Sequence, residues 1–466
     1  MSARAVAAVD LGATSGRVMI GRVGDGTLEL ELVSRFPNGP VEREDGLHWD
    51  FGALYEHVVD GLSEAVRREP NIESIGIDSW AVDYGLLHDG QLLAEPFHYR
   101  DDRTSRGVDE VHAIAPFTEL YGRNGLQFLP FNTLYQYRVD ERLAEADTAL
   151  LIPDLIAFLL TGSAVAERTN ASTTGLLGVM DGEWDTELAD RLDIPSRVLP
   201  RLIDPGTTIG VLRPELVARV GKALPVIAVG SHDTASAVVA APLSTPRSAY
   251  ISCGTWGLVG VELTEPVLTD AAREANFTHE RGVDARYRFL HNVTGLWLLS
   301  ETVRAWESED GESIDLSQLL SAASEVVGPV PIFDADDPTL SAPGDMPARI
   351  AALLGDAAPT TRPAFARTIV ESIAAAFARA VQAAADLSGR ELDSIHLVGG
   401  GSLNRLLCQA TADRTGLPVL AGPVEATALG NVLVQARALG AVPSTLEGLR
   451  AIVAAAHAPE RFVPHG

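Results

Sequence analysis

One pattern occurs twice in this chain and limits what it can fold into: a short apolar run, a tight turn of glycine and hydroxyl residues, and a second short apolar run. The first copy is AVAAVDLGATSGRVMIGRV, from Ala5, and the second is SAYISCGTWGLVGVEL, Ser248 to Leu263. Runs of this length between such breakers read as hairpin strands. GDG followed by TLELELV extends the first copy into an antiparallel meander. Each copy is followed, after a helical stretch, by a strand that ends at small or polar residues. A helix over 50–69 leads to SIGIDSW (Ser74 to Trp80), and one over 364–387 leads to SIHLVGG (Ser394 to Gly400). Two halves built alike imply an internal duplication, although strand and helix alternate in this way in many unrelated α/β chains.

The 466 residues exceed what one hydrophobic core supports, so two domains are expected. The junction falls near APLSTPR, Ala241 to Arg247, where two prolines break a helix-like run and make a hinge. That gives domains over 1–243 and 244–466. Glu307 to Asp345, carrying EDGES and DADDP, reads as a surface insertion of the second half.

A formal charge of −27 argues against a nucleic-acid groove or an anionic membrane surface as partner, since both need clustered positive charge. The single lysine, Lys222, stands outside any GxxxxGK[ST] loop, which removes the Walker-type NTPases. Cys253 and Cys408 are far apart, with no metal-ligand spacing around them. No run of about 18 apolar residues occurs. The expectation is a soluble cytoplasmic protein, monomer or homodimer, with small-molecule partners.

Phosphoryl transfer needs a metal ligand, donors that hold the phosphates and a base near the acceptor hydroxyl. DLGATSGR, Asp10 to Arg17, offers a carboxylate for Mg²⁺ through water, a bare turn for phosphate oxygens and a cation; it also reads as an ordinary hairpin turn. CGTWG, Cys253 to Gly257, offers a second set of donors at Gly254 and Thr255, with Cys253 itself a small buried residue. In VGSHDTASAVVA a strand ends at Gly230 and a helix starts at Asp233. A carboxylate there is either a helix cap or an ionised base for a sugar hydroxyl. VGGGSLN, Val398 to Asn404, lets a flat base or ribose approach bare backbone, or is simply a tight turn. Trp80, Asp83, Tyr99, Arg100, Asp101, Asn132, Tyr135, Gln136, His232 and Asn292 could line a sugar pocket, whereas Trp297 and Trp306 read as packing residues.

Taken in order, IDSWAVDYGLL, HYRDDRT, FNTLYQ, IPDLIAFLLTG, ERTNASTTGLL, SHDTASAV, ISCGTWGLVG, NVTGLWLL, LVGGGSLN and AGPVEATALGN resemble the FGGY carbohydrate kinases of the actin, hexokinase and Hsp70 superfamily. The resemblance spans nearly the whole chain and is strongest to the L-rhamnulokinases of that family. It implies an α/β fold of two duplicated ribonuclease H-like domains with an intervening cleft, and ATP- and Mg²⁺-dependent phosphorylation of a ketose, L-rhamnulose first. By the same resemblance Ala13, Thr14, Ser15, Gly16, Arg17 and Thr255 would meet ATP phosphates, Asp10 the metal, Ser300 the nucleotide, and Gly399, Gly400 and Gly401 the adenosine. Trp80, Ala81, Asp83, His232, Asp233, Thr234 and Asn292 would line the ketose site, with Asp233 taking the proton. Ala81 stands where a glycine is expected and Ser300 where a glutamine is, so substrate choice is the open point. Kinases for L-fuculose or xylulose are the alternatives, followed by a non-catalytic sugar-responsive protein of the actin-like superfamily.

Overall fold

The computed structural model describes residues 3–24 and 26–465. It comprises two compact units. One is Met1–Pro242 with Leu263–Phe289 and Ala426–Ala456; the other is Leu243–Glu262, Leu290–Glu425 and His457–Gly466.

The first unit is built on a six-stranded sheet in the order Thr208–Val211, Pro225–Ile227, Ile72–Ser79, Arg4–Leu11, Ser15–Gly24, Thr27–Pro37. The opening meander is present as expected, with antiparallel pairing from Arg4–Leu11 through Ser15–Gly24 to Thr27–Pro37. Strand Arg4–Leu11 is buried along almost its whole length, which is why it reads as an unbroken apolar run. Thr27–Pro37, at the sheet edge, is mostly half-buried or exposed instead. Helix Phe51–Arg68 starts where the Asp50 carboxylate accepts from Ala53 N–H (3.2 Å), and it stops before Pro70. Its buried stripe, Leu54, Val58, Leu62 and Ala65, repeats at helical spacing and packs on the meander strands.

Helix Ala426–Ala438 belongs to this unit although it comes late in the sequence. It lies on strands Arg4–Leu11 and Ile72–Ser79, so closely that a Cβ on Gly76 would stand 2.5 Å from Gln435 Nε2. The contact encloses a one-way chain of donors. Ser74 Oγ donates to Gln435 Oε1 (2.7 Å), Gln435 Nε2 to Asn431 Oδ1 (2.7 Å), and Asn431 Nδ2 to Asp78 Oδ2 (2.6 Å). Buried amides need such partners, and here they end on the carboxylate of Asp78.

The second unit repeats the plan. Strand Ser248–Cys253 pairs antiparallel with Trp256–Leu263 on one side and parallel with Ser394–Val398 on the other, as Arg4–Leu11 does with Ser15–Gly24 and Ile72–Ser79. Val419–Ala421 and Glu460–Phe462 continue that sheet. The repeated sequence pattern is thus a repeated topology. Helix Arg362–Ser388, capped by Thr361 and stopped at Gly389 (φ 67°), precedes the parallel strand.

The segment 307–345 is largely exposed but is not without structure. Helix Trp297–Asp310 runs into it and helix Leu316–Ser324 follows, with Leu319, Ala323, Phe333, Ala335 and Leu340 buried. Several of its acidic residues are turn and cap formers. Asp315 accepts from Ser317 and Gln318 N–H (2.9 and 3.1 Å). Among the described residues no helix is long and apolar enough to cross a membrane.

Candidate active site

Strand Arg4–Leu11 carries Asp10 at its end, buried and in register with Arg17 of the return strand, whose Nε donates to Asp10 Oδ2 (2.9 Å). The connecting turn closes through Gly12 N–H to Ser15 O (3.0 Å). It is pinned from outside by Asn38, which donates from its backbone to Thr14 O (3.1 Å) and from Nδ2 to Gly12 O (2.8 Å). Asn38 is absent from the sequence-based candidates because PNG reads there only as a turn. Thr14 is exposed and Ala13 and Ser15 are half-buried, leaving their N–H and hydroxyl groups open to a ligand. Gly16 is required by packing, since a Cβ would stand 2.7 Å from Cζ of Phe36.

On the parallel neighbour strand Asp78 is in register with Asp10. Burial first, and the Asp10 charge next, push its carboxyl well above the usual range, and its Oδ1 is buried without a hydrogen-bond partner. Mg²⁺ prefers hard oxygen donors and is usually held by one or two carboxylates together with water and phosphates. Asp10 beside this orphaned oxygen fits that requirement.

Strand Ile72–Ser79 runs into the turn Trp80–Asp83, with Trp80 N–H bonded to Leu11 O (3.1 Å). Val82 there has φ 68°, a left-handed conformation that β-branched residues rarely take. Thr133 Oγ1 holds it by donating to Val82 O (2.8 Å). Asp83 is fully buried and accepts from Trp49 Nε1 (2.7 Å), Trp80 Nε1 (3.0 Å), Tyr99 N (3.2 Å) and Gln136 Nε2 (3.1 Å). Burial lifts its carboxyl to about 6 against these donors. Asp83 therefore organises the residues around it, with three donors on Oδ2 and one on Oδ1.

Of the other pocket candidates, Trp80, Tyr99 and Gln136 gather around Asp83, while Asn132 heads the helix Thr133–Val139 with Nδ2 on Gln127 O (3.1 Å). Arg100 lies over the Tyr99 ring, 5.2 Å from its centroid. Asp101 is used by its own loop, accepting from Leu47 and Arg103 N–H (2.8 and 3.0 Å). Tyr135 turns to His112, 2.9 Å from its hydroxyl.

At the start of helix Asp233–Ala240, Asp233 is not the N-cap. His232 occupies the cap position and makes no side-chain cap bond, and Asp233 is the first helical residue. Asp233 accepts instead from Thr234 Oγ1 at Oδ1 (3.0 Å), and its side chain is 32% exposed while Ser231, His232 and Thr234 are buried.

Behind this loop stands Glu167, absent from the sequence-based candidates although ERTNASTTGLL is one of the blocks that carry the resemblance. Its Oε2 accepts from Ser231 N (3.0 Å) and Ser231 Oγ (2.8 Å), and Oε1 accepts from Thr169 N (2.8 Å). Ser231 O in turn takes the N–H of Ser79 (2.9 Å), tying the loop before Asp233 to the end of the Asp78 strand. Beside His232 lie Glu280 and Arg288. Burial raises the Glu280 carboxyl, but the Arg288 guanidinium and His232 outweigh it and hold it below its ordinary value.

In the second unit the turn Gly254–Thr255 rests on the start of helix Trp297–Asp310, whose preceding Leu296 N–H and first residue Trp297 N–H donate to Gly254 O (3.0 Å) and Thr255 O (3.2 Å). Gly295 allows this approach, as a Cβ would meet Trp256 C at 2.7 Å. Asn292 is half-buried on the preceding strand, Ser300 is exposed in the first helical turn, and Trp297 and Trp306 are buried as expected.

The three glycines after strand Ser394–Val398 have different tasks. A Cβ on Gly399 (φ 85°) would stand 2.9 Å from Cys253 O, and one on Gly401 2.5 Å from Cys253 Cβ. Gly400 is exposed and has nothing within 4 Å of a Cβ, so it alone of the three leaves open space above the backbone. Leu403 beside it is 70% exposed. Cys253 is fully buried, and burial pushes its thiol up, out of nucleophile range.

Residues 5–240 match the model of the N-terminal domain of the FGGY family of carbohydrate kinases, and residues 249–439 match that of its C-terminal domain. The chain is 39% identical over 456 residues to a rhamnulokinase of Bacteroides thetaiotaomicron, covering 96% of this chain and 93% of that protein. It is 40% identical over 477 residues to a rhamnulokinase of Klebsiella pneumoniae subsp. pneumoniae, covering 100% and 96%. Among solved structures it is similar in fold to a gluconate kinase (TM-score 0.79, 18% identity, 100% of this chain and 94% of that one) and to a ligand-bound xylulose kinase (TM-score 0.80, 18% identity, 99% and 94%), both from Lactobacillus acidophilus.

Proposed function

Because this chain belongs to the FGGY family of carbohydrate kinases, we propose that it transfers the γ-phosphoryl group of ATP to L-rhamnulose, giving L-rhamnulose 1-phosphate and ADP, with Asp233 as the base. The observation that carries this is the state of Asp233. It is the one residue of the SHDT loop open to solvent, with Oδ1 held by Thr234 and, among the described residues, no protein donor on Oδ2. The acceptor hydroxyl attacks phosphorus, its oxygen forming the new P–O bond as the bond to the ADP oxygen breaks, and its proton passes to Asp233. His232 and Thr234 hold the carboxylate, and Trp80, kept in place by Asp83, offers an aromatic surface to the apolar side of the sugar. On the family resemblance, Ala81 is a further ketose residue of the first unit and Asn292 one of the second.

Ala13 to Arg17 bind phosphate oxygens through the turn, and Thr255 does so from the second hairpin. Gly400 and the apolar Leu403 offer open surface to the adenosine, with Gly399 and Gly401 shaping that turn and Ser300 contributing from its helix. Mg²⁺ held through water at Asp10 would neutralise charge on the phosphates.

Rhamnulose is preferred over xylulose and L-fuculose on the identity to the two rhamnulokinases over nearly the whole chain. A coupled ADP-release assay over these three ketoses tests the choice. The expected result is a kcat/KM at least tenfold higher for L-rhamnulose; an equal or higher value for either of the others would reassign the substrate.

A further inference from the structure

The surroundings of His232 fix which of its ring nitrogens carries the proton. Nδ1 lies 3.0 Å from Arg288 Nη2 in hydrogen-bond geometry and 3.2 Å from Glu280 Oε2, while Nε2 lies 3.4 Å from Asp233 Oδ1. A guanidinium has donors only and stays charged in a protein. Two groups compete for Nδ1: the Arg288 donor, nearer and in hydrogen-bond geometry, and the Glu280 carboxylate, which is already paired with Arg288 Nη1 at 2.9 Å. The nearer donor takes the Nδ1 lone pair, which leaves the ring proton on Nε2, toward Asp233. Arg288 has little freedom to do otherwise. Its side chain is fully buried, Nη1 is paired with Glu280 Oε2 at 2.9 Å, and Nε and Nη2 both donate to Arg281 O (3.2 and 3.1 Å).

We infer that Arg288, neutralised and held by Glu280, is a positioning residue for the phosphoryl transfer: it sets His232 as an Nε2–H donor to Asp233 Oδ1, so that Oδ2 is the oxygen that takes the proton of the acceptor hydroxyl. The inference rests on the reading of Asp233 as base. Oδ1 then has two donors, Thr234 Oγ1 at 3.0 Å and His232 Nε2 at 3.4 Å, the latter a separation that a small rotation of the carboxylate closes. The opposite tautomer would set a nitrogen lone pair against a carboxylate lone pair and swing Asp233 away. A charged imidazolium would stabilise the carboxylate and weaken it as a base. The neutral Nε2–H ring avoids both. Glu280 and Arg288 come from facing strands, Thr278–Arg281 and Tyr287–Thr294, about fifty residues beyond the loop they serve.

The test uses the full chain labelled with ¹⁵N-histidine. His232 is assigned by the signal missing in His232→Gln, and its tautomer is read from long-range ¹H–¹⁵N correlations. The expected spectrum is a neutral ring protonated at Nε2. The double variant Arg288→Met with Glu280→Gln removes both charges together, so neither is left buried and unpaired. It should show mixed tautomers and a kcat lower by about 10- to 100-fold for the best ketose, with both KM values within about twofold, the size of loss that misplacing a catalytic group produces. An Nδ1–H or doubly protonated ring in the wild-type spectrum overturns the inference, and so does a double variant of unchanged kcat. If the double variant fails to fold, the wild-type spectrum decides alone. Failure of the underlying reading is distinct: Asp233→Asn would then keep wild-type turnover while the His232 tautomer stays as stated.

Discussion

Replacing Gly401 by alanine would put a methyl carbon 2.5 Å from Cys253 Cβ, against a side chain that is fully buried at the end of strand Ser248–Cys253. Overpacking of this kind costs about 1–3 kcal/mol. At about 2–4 °C per kcal/mol for a unit of this size, the melting temperature should drop by roughly 2–12 °C. Gly399→Ala combines a 2.9 Å approach to Cys253 O with φ 85°, which adds about 1–2 kcal/mol for the left-handed backbone, so it should melt at least as low. Gly400→Ala meets nothing within 4 Å and should stay within about 0.5 kcal/mol of wild type. Thermal unfolding monitored by circular dichroism gives the order. Kinetics supply the complement: Gly400→Ala should raise KM for ATP several-fold while leaving KM for the ketose unchanged. Pairing Gly401→Ala with Cys253→Gly, which removes the nearest atoms, should recover part of the lost stability. A Gly400→Ala protein that melts as low as Gly401→Ala would refute the division of labour among the three glycines.

Glu167→Gln leaves one of the two carboxylate oxygens replaced by an NH₂ that faces the donors of Ser231 or Thr169. It should cost about 1–3 kcal/mol by denaturant unfolding and lower kcat with KM for ATP unchanged. Asp83 titrates at about 6 in the folded chain against about 3.9 unfolded, so the folded state holds that proton more tightly. Its ionisation therefore removes about 3 kcal/mol of stability as pH rises from about 4 through 6. The difference in unfolding free energy between wild type and Asp83→Asn should follow that slope, and a flat difference across the window would contradict it. Asp10→Asn should weaken Mn²⁺ binding in the presence of ATP at least tenfold, read by electron paramagnetic resonance, without loss of fold.

The local grammar of the sheets was legible because alternation and bare turns are local properties. The hairpins at Asp10 and Cys253, the helix after Asp50 and the start of the helix at Asp233 all appear where the residues put them. What sequence could not supply depends on distant chain segments meeting. Helix Ala426–Ala438 packs on the first sheet, and only that contact explains why Asn431 and Gln435 are buried and why Gly76 has no side chain. Glu167, Glu280 and Arg288 reach the loop of Ser231 and His232 from 64, 48 and 56 residues away in sequence. The four donors on Asp83 come from three other segments as well as its own turn, so its hydrogen bonding is not a local property. The acidic run at 307–345 concealed a helix because capping residues and a solvated loop share one composition.

The claim that Asp233 is the base of a ketose kinase meets its most direct test in Asp233→Asn, assayed for ADP release with L-rhamnulose and for ATP binding by calorimetry. The account predicts an unchanged Kd for ATP and a turnover lower by about 10²- to 10⁴-fold, the range expected when a general base is removed. Turnover within tenfold of wild type would contradict it.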